Sequence, residues 1–292
     1  MFKAFGNSIL AASAISVTIL VSPVASADLG RAYTPEPVAA PSPWTFTFTT
    51  YGWVPWLSGN ATIKGRAFDV QVTPIELLDH LNWSTLPAWM SYAEARNGPV
   101  GLFNDIVYAN VSGSKDFARP LPGPLPPLLG GVSVNYEQAT VEFGGTYQVW
   151  SGANPALAGS AALDLLAGGR YWHQDASASG FLSLPPFSRE TDRSGSVDWV
   201  DPFVGARLRQ QLAPGESLML RADVGGFGVG SDATWQVLAT YNWQMCALDG
   251  HLIDGYLGYR ALSVDYSQGS GNTQYKFDVL FQGPVAGATL HF

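Results

Sequence analysis

The sequence predicts an all-β protein: a transmembrane, antiparallel up-and-down β-barrel of about ten strands, with twelve strands as the alternative. Apolar and polar residues alternate with a period of two over many segments, which is the pattern of strands with one apolar face. No segment after residue 27 reaches the ~18 consecutive apolar residues of a membrane helix, so a closed barrel is the remaining way to cross a bilayer. Phe, Trp and Tyr make up 13% of the chain, which favours aromatic girdles at two membrane interfaces.

The N-terminal region predicts export from the cell. Residues 1–27 have the features of a secretory signal peptide: Lys3, an apolar run over residues 9–21, and the small-residue cleavage site Ala25-Ser26-Ala27. Residues 28–43 are rich in Pro and Ala and are expected to form a flexible periplasmic leader. The barrel domain is then residues 44–292, and we expect it in the bacterial outer membrane, secreted through the inner membrane.

Composition excludes several other classes. The formal charge is −8, and removal of Lys3 with the signal peptide makes it −8 − 1 = −9, so a nucleic-acid partner is not expected. Cys246 is the single cysteine, which rules out a disulfide framework within the chain. A soluble sandwich with an aromatic core is the competing fold, but only 13% of residues are charged, which is low for a soluble surface.

The alternation also predicts which side chains face lipid. On the segment 235–245 the odd positions, from Trp235 to Met245, form an apolar face with aromatic residues near both ends. The even positions, such as Gln236 and Thr240, would face the lumen. Ten strands are expected at 44–57, 83–96, 99–111, 132–150, 158–174, 190–211, 216–227, 231–245, 250–266 and 272–292.

Three other segments carry expectations. Residues 60–72 also alternate, and we interpret them as a hairpin that turns near Gly65-Arg66, followed by a helical turn from Pro74, rather than as a full barrel strand. Residues 112–131 and 175–189 are expected to be long external loops. In the last strand we expect a bulge at Gly283-Pro284, below which even positions face lipid and above which odd positions from Tyr275 to Phe281 do.

Several motifs resemble those of a group of outer-membrane β-barrel proteins from Gram-negative, mainly alphaproteobacterial, genomes. The matching stretches are residues 51–53, 168–173, 201–207, 223–232, 258–262 and 283–287. The resemblance implies that outer-membrane lipid surrounds the protein. It implies little about activity, because the group has no assigned reaction. The last strand, which ends on Leu290 and Phe292, resembles the signal read by the barrel-assembly machinery, so that machinery is an expected partner.

Charged residues on the inward positions are the candidate functional group. Their charges nearly cancel. The candidates are Glu94, Glu142, Asp164, Arg170, Asp201, Arg207, Arg209, Arg221, Asp223, Asp254 and Arg260, and Asp105 can be added to them. Because lone buried charges are costly, we expect Arg207, Arg221 and Arg260 to neutralise carboxylates such as Asp201, Asp223 and Asp254. One interpretation is a structural, surface-exposed barrel with a plugged lumen. The other is a narrow porin-like channel for small polar solutes.

An enzyme is not expected, and neither is a cofactor or a metal ion. No Gly-x-Ser-x-Gly motif is present, and the four histidines, His80, His173, His251 and His291, are scattered along the chain. An outer-membrane hydrolase is kept as a third alternative. A metal site formed by His173, Asp175 and Asp192 has even less support from the sequence. The glycine-rich run 225–230 lacks the Lys-Ser/Thr ending of a phosphate loop and is interpreted as a turn at the barrel rim.

Overall fold

The computed structural model describes residues 44–122, 126–154, 159–185, 187–248 and 250–292 and forms a β-barrel. Twelve strands belong to one antiparallel sheet. They are β1 (Thr45–Trp53), β2 (Trp56–Ile63), β3 (Arg66–Val72), β4 (Ala88–Asn97), β5 (Val100–Arg119), β6 (Leu128–Asn154), β7 (Gly159–Leu184), β8 (Phe187–Ala213), β9 (Glu216–Gly225), β10 (Ala233–Leu248), β11 (His251–Gln268) and β12 (Tyr275–His291). The all-β barrel is confirmed, whereas the signal peptide and the leader lie outside the described residues.

Ten of these strands close the ring. Each strand from β4 to β12 pairs with the next, β4 pairs with β1, and β1 pairs with β12. β2 and β3 add a hairpin beside this ring. The expected number of about ten strands and the alternative of twelve therefore describe the ring and the whole sheet, respectively.

β1 and β2 act as one long strand along β12. Trp53 pairs with Val285 and Trp56 with Gln282, so the register does not change across Val54-Pro55. Pro55 has no N–H, which interrupts the ladder at that point. The opposite residue is Gly283, and a Cβ there would lie 2.5 Å from the Val54 carbonyl oxygen. Glycine therefore allows the two backbones to approach closely.

The segment after β2 forms the expected hairpin and helix. Lys64 and Gly65 both have positive φ, 52° and 75°, as in the two-residue turns that suit a hairpin. The helix α1 (Pro74–Asp79) begins after Thr73, whose hydroxyl accepts from the Glu76 amide while Glu76 accepts from the Thr73 amide. The hydrogen bonds from Thr73 lower the pKa of the Glu76 carboxyl. No helix among the described residues is long and apolar enough to cross a membrane.

The two ends of the barrel differ in their connections. The short-turn end carries the turns at 98–99 and 214–215 and the last residue, Phe292. The opposite, long-hairpin end carries α1 and the extensions of β5 to β8. Residues 112–131 and 175–189, expected to be loops, are mostly strand there, because β5 pairs with β6 up to Arg119–Leu128 and β7 with β8 up to Leu184–Phe187. The long-loop prediction was wrong because cross-strand pairing continues through serine- and glycine-rich sequence.

The burial pattern confirms most of the predicted faces. On β10, Trp235, Val237 and Tyr241 are exposed, whereas Gln236 and Thr240 are buried. The same alternation holds on β9, where Leu218, Leu220 and Val224 are exposed and Arg221 and Asp223 are buried. These outward apolar side chains form a continuous band around the ring, as strands of a membrane barrel would.

The last strand departs from the prediction. The register of β12 against β11 runs without a shift through Gly283-Pro284, so there is no bulge and no change of face. Ala286, Ala288 and Leu290 lie on the outward face as expected, but Phe277, Val279 and Phe281 are buried inside the barrel. The error came from assigning apolar side chains to lipid, whereas this part of the interior is itself apolar.

These inward residues belong to an aromatic layer that fills the lumen toward the long-hairpin end. We define the aromatic layer as Trp53, Trp172, Trp199, Tyr266, Phe277 and Phe281, all of them buried. The rings of Trp199 and Tyr266 stack with centroids 4.0 Å apart, and Trp172 stacks on Trp199 at 5.6 Å. Phe281 contacts both Trp53 and Trp172, which joins the opposite walls of the barrel.

We expect Phe281→Ala to lower the free energy of unfolding by about 3–5 kcal/mol, because it leaves a cavity within the aromatic layer. Leu280→Ala is the matched control, since Leu280 is adjacent in sequence and points to the opposite face. Chemical unfolding of the refolded protein in detergent, followed by tryptophan fluorescence, measures both. A larger loss for Leu280→Ala would contradict the assigned faces.

Candidate functional site in the barrel lumen

The middle of the lumen holds a cluster of ion pairs centred on Glu142. This carboxylate is 1% exposed and accepts hydrogen bonds from three guanidinium groups: Arg170 at 2.9 Å, Arg221 at 2.7 Å and Arg260 at 3.1 Å. The three arginines come from β7, β9 and β11, and Glu142 comes from β6. Side chains from distant parts of the ring therefore meet at one point. We call this group, with Asp223 and Asp105, the Glu142 cluster.

Two further carboxylates complete the Glu142 cluster. Asp223 accepts from Arg170 at 2.7 Å and from Arg221 at 2.9 Å, and Asp105 lies 3.0 Å from Arg260. Three arginines therefore face three acids. Tyr51 donates to Asp105 at 2.6 Å, and Gln236 bridges Arg260 and Asp223. This balance satisfies charges that would otherwise be costly to bury.

Aromatic rings cover the faces of these guanidinium groups. Arg260 lies 4.9 Å from the centre of a Trp53 ring, which belongs to the aromatic layer. Arg170 lies 5.2 Å from the Phe203 ring centre, and Arg221 contacts Phe103 and Phe203 in the same way. Planar guanidinium groups can stack on aromatic rings while their edges bind carboxylates. The Glu142 cluster and the aromatic layer are therefore in direct contact through Arg260 and Trp53.

A second group of ion pairs lies nearer the short-turn end, along the wall formed by β4 to β8. Asp164 is fully buried and accepts from Arg96 at 3.0 Å, Arg207 at 2.9 Å and Arg209 at 3.2 Å. Glu94 accepts from Arg207 at 2.6 Å and from Arg96 at 3.1 Å. We call these five residues the Asp164 cluster. It has three arginines against two carboxylates.

Asp201 stands apart from both clusters. Its carboxylate is fully buried and accepts from the indole N–H groups of Trp172 at 3.0 Å and Trp199 at 3.3 Å. The backbone and hydroxyl of Ser231 donate to it as well, at 2.6 and 2.8 Å. Asp201 therefore connects the aromatic layer to the glycine-rich segment before β10, which forms the expected turn at the rim.

The remaining member of the predicted set, Asp254, lies near the short-turn end. Its carboxylate is 2.9 Å from His291 Nε2, and both side chains are about one-third exposed. It does not contact Arg260, although the two residues share a strand face. The separation along β11 explains this, because six residues of strand place Asp254 well below the Glu142 cluster.

Nine of the eleven predicted residues thus lie in these two clusters, whereas Asp201 and Asp254 lie outside them, and several partners differ from those expected. Arg221 does contact Asp223, as expected from the sequence. Arg207 contacts Glu94 and Asp164 instead of Asp201, and Arg260 contacts Asp105 and Glu142 instead of Asp254. The sequence analysis missed Arg96 and Tyr51. Arg96 shares the inward parity of Glu94 on β4, and Tyr51 shares the parity of the buried Thr49 and Trp53 on β1, which is the signal that could have found them.

Below the Glu142 cluster the lumen is open. A cavity of about 560 Å³ extends from Thr45 and His291 at the short-turn end to Tyr51, Arg221 and Arg260. We call it the short-turn chamber. Arg221 and Arg260 of the Glu142 cluster lie at its inner end, and the aromatic layer lies beyond them.

The histidines do not form a catalytic arrangement in the described part of the chain. His173 Nδ1 lies 2.6 Å from Asp198, which also accepts from Tyr171, and His80 caps α1. His251 and His291 lie at the short-turn end. Within residues 44–292, apart from the gaps in the described ranges, no group of three His, Cys, Asp or Glu side chains could hold a metal ion.

No protein-family model matches the sequence, and no curated protein matches it. Three solved structures align with most of the chain at very low identity. A Pseudomonas aeruginosa FadL homologue is 7% identical over 85% of this chain and 89% of that chain, with a TM-score of 0.25. The CymD monoaromatic hydrocarbon channel is 8% identical, with 86% and 88% covered and a TM-score of 0.23. The P. putida toluene transporter TodX is 6% identical, with 86% and 90% covered and a TM-score of 0.24. At these values the likeness carries no argument, and the barrel is assigned from its own strand pairing.

We expect Arg260→Met to lower the free energy of unfolding by about 3–5 kcal/mol, because it removes the one guanidinium group that pairs with the buried Asp105 among the described residues. Arg209→Met is the matched control: Arg209 is 39% exposed, and Asp164 keeps two other arginines, so a loss below about 1 kcal/mol is expected. Adding Asp105→Asn to Arg260→Met should recover part of the loss. Equal losses for the two single variants would contradict the burial of the Glu142 cluster.

Proposed function

We propose that this chain is an integral outer-membrane protein whose lumen is closed across its middle, and that it serves as a structural, surface-exposed barrel. The observation that carries the proposal is the stacking of the Glu142 cluster and the aromatic layer. Arg170, Glu142 and Trp172 are each at most 1% exposed. Two successive layers, one of ion pairs and one of aromatic rings, leave no room for hydrated solutes at this level.

The membrane location is supported by the outer surface of the ring. A closed barrel has all its strand hydrogen bonds satisfied, which lipid requires. The outward side chains are large and apolar on adjacent strands, among them Leu102, Leu165, Val204 and Leu220, each about half exposed. Exposed apolar surface of this extent is unusual on soluble monomers. Outer-membrane lipid is therefore the partner that fits this band.

Outward aromatic residues lie at both edges of the band. On β10, Trp235 and Trp243 face outward, eight residues apart. At ~3.3 Å per residue and a tilt of ~40°, they would be about 20 Å apart along the membrane normal, close to the ~25 Å apolar band of outer-membrane barrels. We assign the short-turn end to the periplasm, because such barrels have short periplasmic turns. The extended hairpins of β5 to β8 would then project outside the cell.

A narrow channel is the second candidate, and the short-turn chamber is the observation that favours it. The chamber already opens half of the lumen to solvent at one end. Passage to the other side would require the Arg260 and Trp53 side chains to move apart, and both are buried in mutual contact. The closed barrel therefore has the stronger support.

We expect the refolded wild-type protein to show no steady conductance in planar lipid bilayers, because its charged cluster and aromatic layer exclude hydrated ions. A general porin, inserted under the same conditions, provides the positive control for insertion and recording. Reproducible unitary current steps from the wild-type protein would favour the channel and overturn the closed barrel.

We also propose that the barrel-assembly machinery recognises the last strand. Phe292 is 58% exposed, its amide donates to the Phe46 carbonyl at 2.9 Å, and Leu290 lies on the same outward face. The aromatic side chain is therefore held by the end of the ring while it remains accessible.

Deletion of Phe292, or Phe292→Asp, should lower the amount of heat-modifiable protein in the outer membrane. Phe187→Asp is the control, because Phe187 is 76% exposed at the long-hairpin end and should not affect assembly. Membrane fractionation followed by electrophoresis with and without heating measures the folded barrel. Unchanged levels of the Phe292 variants would rule out this recognition.

A further inference from the structure

The short-turn chamber is lined unevenly by charges. Five arginines line it: Arg96, Arg207, Arg209, Arg221 and Arg260. Only two of the carboxylates that neutralise them, Glu94 and Asp105, share this lining. The other three, Glu142, Asp164 and Asp223, lie behind the arginines and are almost completely buried. A solute in the chamber would therefore meet guanidinium groups in front and carboxylates behind.

The excess of positive charge is greatest at the Asp164 cluster. Arg96, Arg207 and Arg209 there face only Asp164 and Glu94, so one positive charge is not balanced within the cluster. The His291 side chain at the mouth is paired with Asp254 and adds little to this balance. A cleft lined by one sign of charge, between walls of low dielectric constant, attracts ions of the opposite sign.

Arg209 is the guanidinium with donors to spare. Its side chain is 39% exposed, and its Nη2 donates to Asp164 at 3.2 Å and to the Gln148 side chain at 3.1 Å. Its Nε is buried, so Nη1 is the nitrogen left for a further partner. Arg207, in contrast, is nearly buried and is held by both Glu94 and Asp164. Arg209 can therefore bind a further anion while it keeps its contact with Asp164. Even if that contact were lost, Asp164 would still be paired with Arg96 and Arg207.

The rest of the wall favours an organic anion over a bare inorganic one. Met219, Leu238 and Tyr256 line the same chamber and are partly exposed, and its volume of about 560 Å³ lies within the usual range of small-molecule sites. Apolar walls with a few fixed polar groups are typical of such sites. A ligand with an apolar body and one carboxylate would match both parts of the lining.

We infer that the short-turn chamber is a binding site for a small organic carboxylate, with Arg209 as the group that binds the carboxylate and the apolar wall as the surface that covers its body. The ligand would enter from the short-turn end. Binding does not require the lumen to conduct, because the chamber ends at the Glu142 cluster.

Isothermal titration of the refolded full chain in detergent tests this inference, with benzoate as the probe. Benzamide is the matched neutral ligand, since it has the same ring and nearly the same shape but no charge. We expect saturable binding of one benzoate per chain that weakens as sodium chloride is added, and only unsaturable heat from benzamide. Equal signals from the two ligands would mean partition into detergent and would overturn the inference.

Two variants test whether benzoate binds in the short-turn chamber. Arg209→Gln should weaken benzoate binding about tenfold, because a charge-assisted hydrogen bond is lost. Arg119→Gln removes an exposed arginine at the far end of β5 and should leave binding unchanged. Heat-modifiable mobility verifies that both variants are folded. If Arg209→Gln does not fold, the salt dependence of benzoate binding to the wild-type protein tests whether binding is electrostatic. Wild-type affinity in folded Arg209→Gln would overturn the inference, as would binding of inorganic phosphate without any binding of benzoate.

Discussion

The structure depends on the need to neutralise charges that the ring turns inward. In a closed antiparallel ring every second side chain points to the interior, so a charged residue in the middle of the lumen, away from the open end, cannot reach bulk water by a change of rotamer alone. Glu142 meets this constraint by accepting from three arginines on three other strands. The same contacts join walls of the barrel that are far apart in sequence. The ring can therefore close only in an arrangement that also pairs these charges.

The lumen is divided by chemistry along its axis. The short-turn chamber is lined by arginines, the middle of the lumen holds paired charges, and the next level is aromatic. Stacking of Arg260 on Trp53 joins the last two levels, because a guanidinium can offer its edge to carboxylates and its face to a ring. The short-turn chamber and the Glu142 cluster thus share Arg221 and Arg260, which bind Glu142 and also line the chamber.

Buried ion pairs of this kind give specificity more readily than stability. The desolvation of each charge offsets much of the attraction, so replacing a whole network with apolar residues is often neutral or favourable. Removing one partner is different, because the other is left buried and unpaired. For this barrel the network would select a single alignment of β5, β6, β7, β9 and β11, since a shift of one residue would turn Glu142 or Arg260 toward lipid.

The sequence alone determined the class of fold and the parity of most strands, because alternation with a period of two directly reports which side chains share a face. It also predicted a hairpin near Gly65-Arg66, which the structure shows turning at Lys64-Gly65, and a helical turn from Pro74, since both depend on local residue preferences. Only the tertiary structure decided which charges meet, for instance Arg207 with Glu94, residues that are distant in sequence. It likewise decided that Phe281 packs inside. Alternation tells which face of a strand a side chain occupies. It does not tell the position of that side chain along the barrel axis or its partner across the lumen, because both depend on the register of the strands in the closed ring.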